Sequence, residues 1–234
     1  MKKDLWLNFT GYGAAFNPEK ENTSAWFSDN GIFYLIDSGE TVFGHIWKEK
    51  AFREAKSIAV ILTHMHCDHV GSIGTLVSYW TMVMGRTIEI YYPSERLEVF
   101  MDVVGIDRSM YTHVMEVPDE WSVRITPYPV VHASNMACFG YVIERAGYPT
   151  IYYSGDAADI PDDVLDRFRK KDIEYICHDT SMTHSSHHCY VGILEKKIAQ
   201  EDRSRVYCMH LSEPGCENDL TRKGFRVVKI EPPL

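Results

Sequence analysis

His64-Met65-His66-Cys67-Asp68-His69 fits the pattern HxHxDH and follows Ile58 to Leu62, an apolar run that reads as a strand. If the chain stays extended beyond that run, His64 and His66 project to one side, because side chains two apart on a strand share a face. Two imidazoles can then bind one ion. A helix beginning near His69, with Val70, Ile73, Val77 and Trp80 at helical spacing, reverses the chain so that Asp68 and His69 point back toward a second ion. Gly71 and Gly74 are the positions where close backbone approach is expected. Neutral imidazole and carboxylate are the usual nitrogen and oxygen ligands of zinc, and mixed sets also accept manganese or iron.

Outward from the hexapeptide, the same signature recurs: a ligand-type residue stands where an apolar run ends. The runs are Pro129-Val130-Val131-His132, Tyr152-Tyr153-Ser154-Gly155-Asp156, Ile176-Cys177-His178-Asp179 and Tyr207-Cys208-Met209-His210. Strand ends on one sheet edge are a natural place for loop-borne ligands to converge. Strand patterns cover Ile32 to Ile36, Ile58 to Leu62, Ile88 to Tyr92, Val123 to Val131, Phe139 to Glu144, Thr150 to Tyr153, Ile173 to Cys177, Val206 to Met209 and Phe225 to Ile230. Besides the helix after the hexapeptide, Val164, Leu165 and Phe168 recur at helical spacing after Pro161, placed in a first turn, and a third helix runs from about Val191 through Ile198. The rhythm predicts an α+β class with sheets covered by helices, and no internal repeat of fixed period is visible.

No Pro/Gly/Ser-rich tract or charge block divides the 234 residues, so a single domain over residues 1–234 is expected. Hydrophobic content of 45% and charged content of 24% belong to a globular chain and exclude disordered and fibrous classes. The formal charge is −9 and no window gathers Lys and Arg into a phosphate-tracking stripe, which argues against long nucleic acid as a partner. Met1-Lys2-Lys3-Asp4-Leu5-Trp6 has a basic start with no apolar stretch of signal-peptide length behind it. Nothing approaches the ~20 apolar residues of a membrane span. Six cysteines, at 67, 138, 177, 189, 208 and 216, form no CxxC pair, which suits reduced thiols in a cytoplasm.

The hexapeptide followed by isolated His, Asp and His at later strand ends resembles the metallo-β-lactamase superfamily over nearly the whole chain. The resemblance implies an αββα sandwich, with two mixed sheets packed face to face and helices outside. It implies that His64, His66 and His132 hold one divalent ion, that Asp68, His69 and His210 hold another, and that Asp156 bridges both. Asp37-Ser38-Gly39 looks like the family's early Asp-x-Gly turn, in which Asp37 supports the ligand loop; an ordinary turn is the other reading. Relatives are commonly dimers, so a homodimer is the corresponding expectation.

Two ions about 3.5 to 4 Å apart lower the pKa of a shared water to about 7 and stabilise an attacked oxyanion, which makes the expected enzyme a hydrolase. Asp68 would both ligate metal and orient or deprotonate the nucleophilic water. His178-Asp179-Thr180-Ser181, followed by His184, His187, His188 and Cys189, resembles the ribonuclease Z branch, which carries a His-Glu-Ala-Thr segment and then a His-Ser-Thr segment. That likeness implies His188, with His187 as the alternative, as proton donor to the departing oxygen and Asp179 as its orienting carboxylate. Asp179 is one methylene shorter than the expected Glu, and Cys189-Tyr190 replace Ser-Thr. Ribonuclease Z enzymes insert a long arm that grips transfer RNA after the lone His, whereas only Ala133 to Ser154 separates His132 from Asp156 here. The expected substrate is therefore a small or cyclic phosphodiester. A lactonase or thioesterase acting on the same metals, a ribonuclease Z-like RNA endonuclease, and a sensor without turnover are the competing readings. Tyr12, Phe16, Trp26 and Phe27 lie where the family places residues near the site; stacking on a base competes there with core packing.

Overall fold

The computed structural model describes residues 5–230. Met1 to Asp4 of the N-terminal stretch quoted above, and residues 231–234, lie outside the described residues. The described chain forms two compact units. One comprises Leu7–Gly11, Glu21–Ser122 and Ile230, and the other residues 5–6, Tyr12–Lys20 and Val123–Lys229.

The N-terminal unit is built on a sheet whose strands lie in chain order: β1 (Asn8–Gly11), β2 (Ser24–Asp29), β3 (Ile32–Ile36), β4 (Ser57–Ile61), β5 (Ile88–Tyr91) and β6 (Tyr111–Val114). The first two pairings are antiparallel and the last three parallel. Phe33 to Ile36 and Ala59 to Ile61 are completely buried, and such continuous apolar runs are the mark of a buried parallel strand. Five short helices complete the unit: α1 (Val42–Ile46), α2 (Lys50–Arg53), α3 (Cys67–Val70), α4 (Ile73–Met82) and α5 (Arg96–Val103). The buried face of α4 is Ile73, Leu76, Val77 and Trp80, the periodicity that the sequence carries.

The C-terminal unit repeats the plan with β7 (Val123–Pro129), β8 (Phe139–Arg145), β9 (Ile151–Tyr153), β10 (Tyr175–Asp179), β11 (Val206–Met209) and β12 (Arg226–Val227). Again two antiparallel pairings are followed by three parallel ones. The C-terminal ends of β7, β9, β10 and β11 therefore share one sheet edge. Val142, Tyr152, Ile176 and Cys208 from the sheet pack with Val164, Leu165 and Phe168 of α6 (Asp162–Arg169). Val191 and Leu194 of α7 (Val191–Lys197) and Leu220 of α8 (Glu217–Arg222) join the same cluster. Asp162 and Asp163 open α6 and Arg167 and Arg169 close it, charges that complement its dipole.

The structure corrects several boundaries. β10 runs from Tyr175 rather than Ile173 and extends to Asp179, so His178 and Asp179 are strand residues held by the parallel ladder to β11. The last strand contracts from Phe225 to Ile230 to Arg226–Val227, with the Val228 amide adding one bond to the Cys208 carbonyl. Pro161 precedes α6, with extended ψ 139°, instead of lying in its first turn. β1, β2 and β6, together with α1, α2, α5 and α8, lack a clean periodic signal. In α5, Val99 and Val103 are exposed beside buried Leu97 and Met101, which blurs the apolar stripe.

Candidate metal centre

In the N-terminal unit β4 ends at Ile61, so His64 and His66 do not share a strand face as the extended reading expects; they sit on the loop leaving it. That loop still converges them, with His64 Nε2 3.0 Å from His66 Nδ1. The next helix, α3, starts at Cys67 rather than near His69, and presents Asp68 Oδ2 3.4 Å from His69 Nε2. His64, Asp68 and His69 are buried.

Asp37 organises this loop. It follows β3, beside the exit of β4, with φ 64°, a left-handed conformation that Asp tolerates better than most residues. Its carboxylate is fully buried and accepts three hydrogen bonds, from the Thr63 amide, the Thr63 hydroxyl and His69 Nδ1, each at 2.8 Å. With its hydrogen given to Asp37, the Thr63 hydroxyl accepts from His64 Nδ1 at 3.1 Å. Donation from Nδ1 leaves Nε2 of both imidazoles as the lone-pair atom, the usual way a carboxylate sets the tautomer of a metal-binding histidine. Burial pushes the Asp37 carboxyl up, against the opposing effect of His69 and Thr63. At Gly39 a Cβ would overlap the Asp68 carbonyl, and at Gly71 one would overlap the Cys67 carbonyl and Glu40, so both glycines are needed for close approach. Gly74 differs from the expectation: a Cβ there meets Ile106 at an ordinary 3.7 Å.

In the C-terminal unit one sheet edge delivers four side chains, Asp179 from the last residue of β10 and His132, Asp156 and His210 from the connections that follow β7, β9 and β11. Asp156 directs one oxygen at each neighbouring imidazole, Oδ2 lying 3.5 Å from His132 Nε2 and Oδ1 3.3 Å from His210 Nε2. His132 Nδ1 donates to the His187 carbonyl at 2.9 Å. His210, with φ 56°, turns away from β11 and holds Nδ1 3.5 Å from Asp179 Oδ1. The other Asp179 oxygen accepts from His188 Nδ1 at 2.8 Å and from the Ala157 amide at 3.2 Å. Asp179 is completely buried, whereas the His188 side chain is 28% exposed. Burial lowers the His188 pKa, but hydrogen bonding to Asp179 and the charges of Asp179 and Asp156 outweigh it and hold the imidazole above its ordinary value. His178 is buried and its pKa is lowered; its Nδ1 donates to the Asp179 carbonyl at 2.7 Å.

The other two histidines of the 184–188 tract separate cleanly. The exposed His187 turns its ring to Ser186 and contributes its carbonyl to His132, while the His184 ring lies against Tyr190, centroids 3.9 Å apart and tilted by 34°. His188 is thus the member of the tract that Asp179 orients. Phe27 stacks on Tyr34 and Trp26 on Phe33, and Tyr12 reaches Glu217 with Lys20 over its ring; packing consumes these three, and Phe16 alone of the four stays 98% exposed. All six cysteines are free, and burial pushes Cys177, Cys189 and Cys208 well up, which makes them inert packing groups. Sequence reading missed Thr63 and the His187 carbonyl. Thr63 stands beside the hexapeptide, but a main-chain acceptor leaves no residue-type signal.

The donor set fits divalent metal. Two nitrogens bound at about 2.0 to 2.1 Å to one tetrahedral zinc lie about 3.3 Å apart. The His64–His66 spacing, and the 3.3 and 3.5 Å separations around Asp156, are of that size. Among the described residues of the C-terminal unit, Asp156, Asp179, His188 and His210 place ligand atoms within 4.8 Å of one another.

Residues 33–210 match the family described as the Beta-lactamase superfamily domain. The chain is 26% identical to the anti-Pycsar protein Apyc1 of Bacillus phage 010DV004, over 96% of this chain and 95% of that protein. It is 25% identical to a ribonuclease Z of Methanopyrus kandleri over 69% of this chain, spanning 53% of the relative. Its fold is similar to that of the metallo-β-lactamase fold protein YhfI from Bacillus subtilis, with TM-score 0.78, 16% identity and 97% of each chain covered. The chain belongs to the metallo-β-lactamase superfamily and is, with that family, a metal-dependent hydrolase.

Proposed function

We propose that the protein is a binuclear metal-dependent phosphodiesterase acting on a small or cyclic phosphodiester. The observation that carries this reading is the Asp179–His188 pair: a buried carboxylate 2.8 Å from an imidazole that is itself partly open to solvent. An alkoxide leaves phosphorus more easily when protonated, so such a pair has a use in phosphodiester cleavage that hydrolysis of a thioester, whose thiolate leaves without a proton, does not demand. In this proposal His64, His66 and His132 would hold one divalent ion, zinc before manganese or iron, Asp68, His69 and His210 would hold the second, and Asp156 would serve both. Ions bound there would supply an acidified water and charge stabilisation for the phosphoryl oxygens.

The protein's own groups do the rest. Asp68 orients the water and takes its proton as the new P–O bond forms. His188 gives its Nε2 proton to the oxygen of the P–O bond that breaks, and Asp179 keeps the imidazole aimed and charged. Between His132 and Asp156 the chain has only a short connection and the β8–β9 hairpin, which leaves no insertion with which to grip a transfer RNA. The acidic balance points the same way. We therefore place a compact substrate ahead of an RNA chain, with the protein acting without a membrane and as a homodimer in the cytoplasm.

Hydrolysis of bis-p-nitrophenyl phosphate, 2′,3′- and 3′,5′-cyclic nucleotides and a lactone, with and without chelator, tests the reading. Chelator-sensitive phosphodiester cleavage is expected. Lactone cleavage alone would replace it with an acyl hydrolase, and tight nucleotide binding with no turnover would replace it with a sensor.

A further inference from the structure

Glu213, three residues beyond His210, takes no part in the roles assigned above, yet it faces the base of the loop that carries His188. Its Oε1 accepts from the Thr183 hydroxyl at 3.1 Å and lies 3.3 Å from the Ser181 hydroxyl. Its Oε2 is buried and makes no hydrogen bond within the described residues. Ser181 is the neck of the loop: its amide donates to the Cys189 carbonyl and its carbonyl accepts from the Val191 amide, both at 2.8 Å. Inside the neck, the Ser185 hydroxyl accepts from the amides of His187 and His188 at 3.0 and 3.2 Å. A continuous path therefore runs from Glu213 through Thr183 to Ser181, whose hydroxyl donates to the Thr183 carbonyl at 2.8 Å, and on to Cys189, the residue bonded to His188.

We infer that Glu213 is a positioning residue, which clamps the 181–190 loop to the segment after His210 and so fixes the imidazole of His188 against Asp179. One feature favours a positioning role over a merely structural one. The carboxylate grips hydroxyls on a loop whose members 183, 184, 186 and 187 are all exposed, where hydrophobic packing offers little hold. A misplacement of about 1 Å in a catalytic group can cost on the order of 100-fold in rate.

The inference rests on His188 as the proton donor, and the test separates the two. Turnover at saturating substrate is compared for a phosphodiester with a p-nitrophenolate leaving group, which hardly needs a proton, and one with an alkoxide leaving group, which does. For Glu213→Ala the alkoxide substrate is expected to slow by about 10-fold or more while the p-nitrophenyl substrate changes less than about 3-fold. Glu213→Gln, which keeps an acceptor for the hydroxyls, is expected to restore most of the loss. In the Glu213→Ala/His188→Ala double variant the loss on the alkoxide substrate should be no larger than in His188→Ala alone. Equal slowing of both substrates in Glu213→Ala, or additive losses in the double variant, would overturn the positioning role while leaving His188 untouched. Equal slowing of both substrates in His188→Ala would instead remove the donor on which the inference stands.

Discussion

The two sheets are alike in plan and unlike in how they supply ligands. Each runs through two antiparallel and three parallel pairings in chain order. The N-terminal unit draws its four ligand-type side chains from one hexapeptide at the end of β4, and their spacing is set locally by the loop, by α3 and by the Asp37 carboxylate. The C-terminal unit gathers His132, Asp156 and His210 from the ends of three strands, so their spacing is set by the registers of β7 to β11. A local cluster is robust to changes elsewhere in its sheet, and a register-built cluster is not. Under the proposed function the same contrast divides the chemistry: the N-terminal half would provide ligands and their tautomers, and the C-terminal half would add the Asp179–His188 pair.

Single ligand substitutions should have the largest effect and should fall hardest on the residue facing two imidazoles. Asp156→Ala is expected to lower kcat/KM by about 1,000-fold or more, several kcal/mol of metal-derived stabilisation, and to reduce bound metal more than His66→Ala. Equal metal retention in the two variants would break the asymmetry. Next in size is His188→Ala, with a loss of about 100-fold on substrates with poor leaving groups, seen in kcat at saturating substrate with metal content unchanged.

The orienting carboxylates sharpen the contrast. Asp37→Asn should weaken metal affinity by about 10- to 100-fold, measured by competition with a chromophoric chelator, because His69 and Thr63 lose the acceptor that fixes them. Asp179→Asn should instead slow alkoxide substrates by a larger factor than it weakens metal. Similar profiles for the two would mean that both carboxylates merely support ligands.

These differences also explain what the sequence made legible. The hexapeptide is readable because its six residues are contiguous and their spacing has a direct geometric meaning. His132, Asp156 and His210 were reached through strand-end context and family likeness, since no local pattern encodes the registers that bring them together. Asp179 and His188 followed from the likeness despite the shortened carboxylate, and the structure joins them at 2.8 Å. Thr63 and the His187 carbonyl stayed hidden: a hydroxyl relay looks like any strand threonine, and a carbonyl belongs to every residue. The fold class was clear from alternating runs, but β1, β2, β6 and the short helices α1, α2 and α8 carry too few residues to show a period.

The smallest expected effects concern the glycines. Gly39→Ala should destabilise the fold by about 1 to 3 kcal/mol, because the added methyl meets the Asp68 backbone. Gly74→Ala, inside α4 with room for a Cβ, should be neutral or stabilising by up to about 1 kcal/mol. Thermal unfolding of the two variants measures both, and the reverse order would contradict the local packing described for the hexapeptide loop.

The most direct test of the central claim is metal stoichiometry by elemental analysis of the purified protein, with phosphodiesterase activity followed on the same sample through chelation and metal return. Two divalent ions per chain are expected, with turnover lost on their removal and regained on their return; one ion or none after reconstitution, or phosphodiester cleavage that survives complete removal, would rule out a binuclear phosphodiesterase.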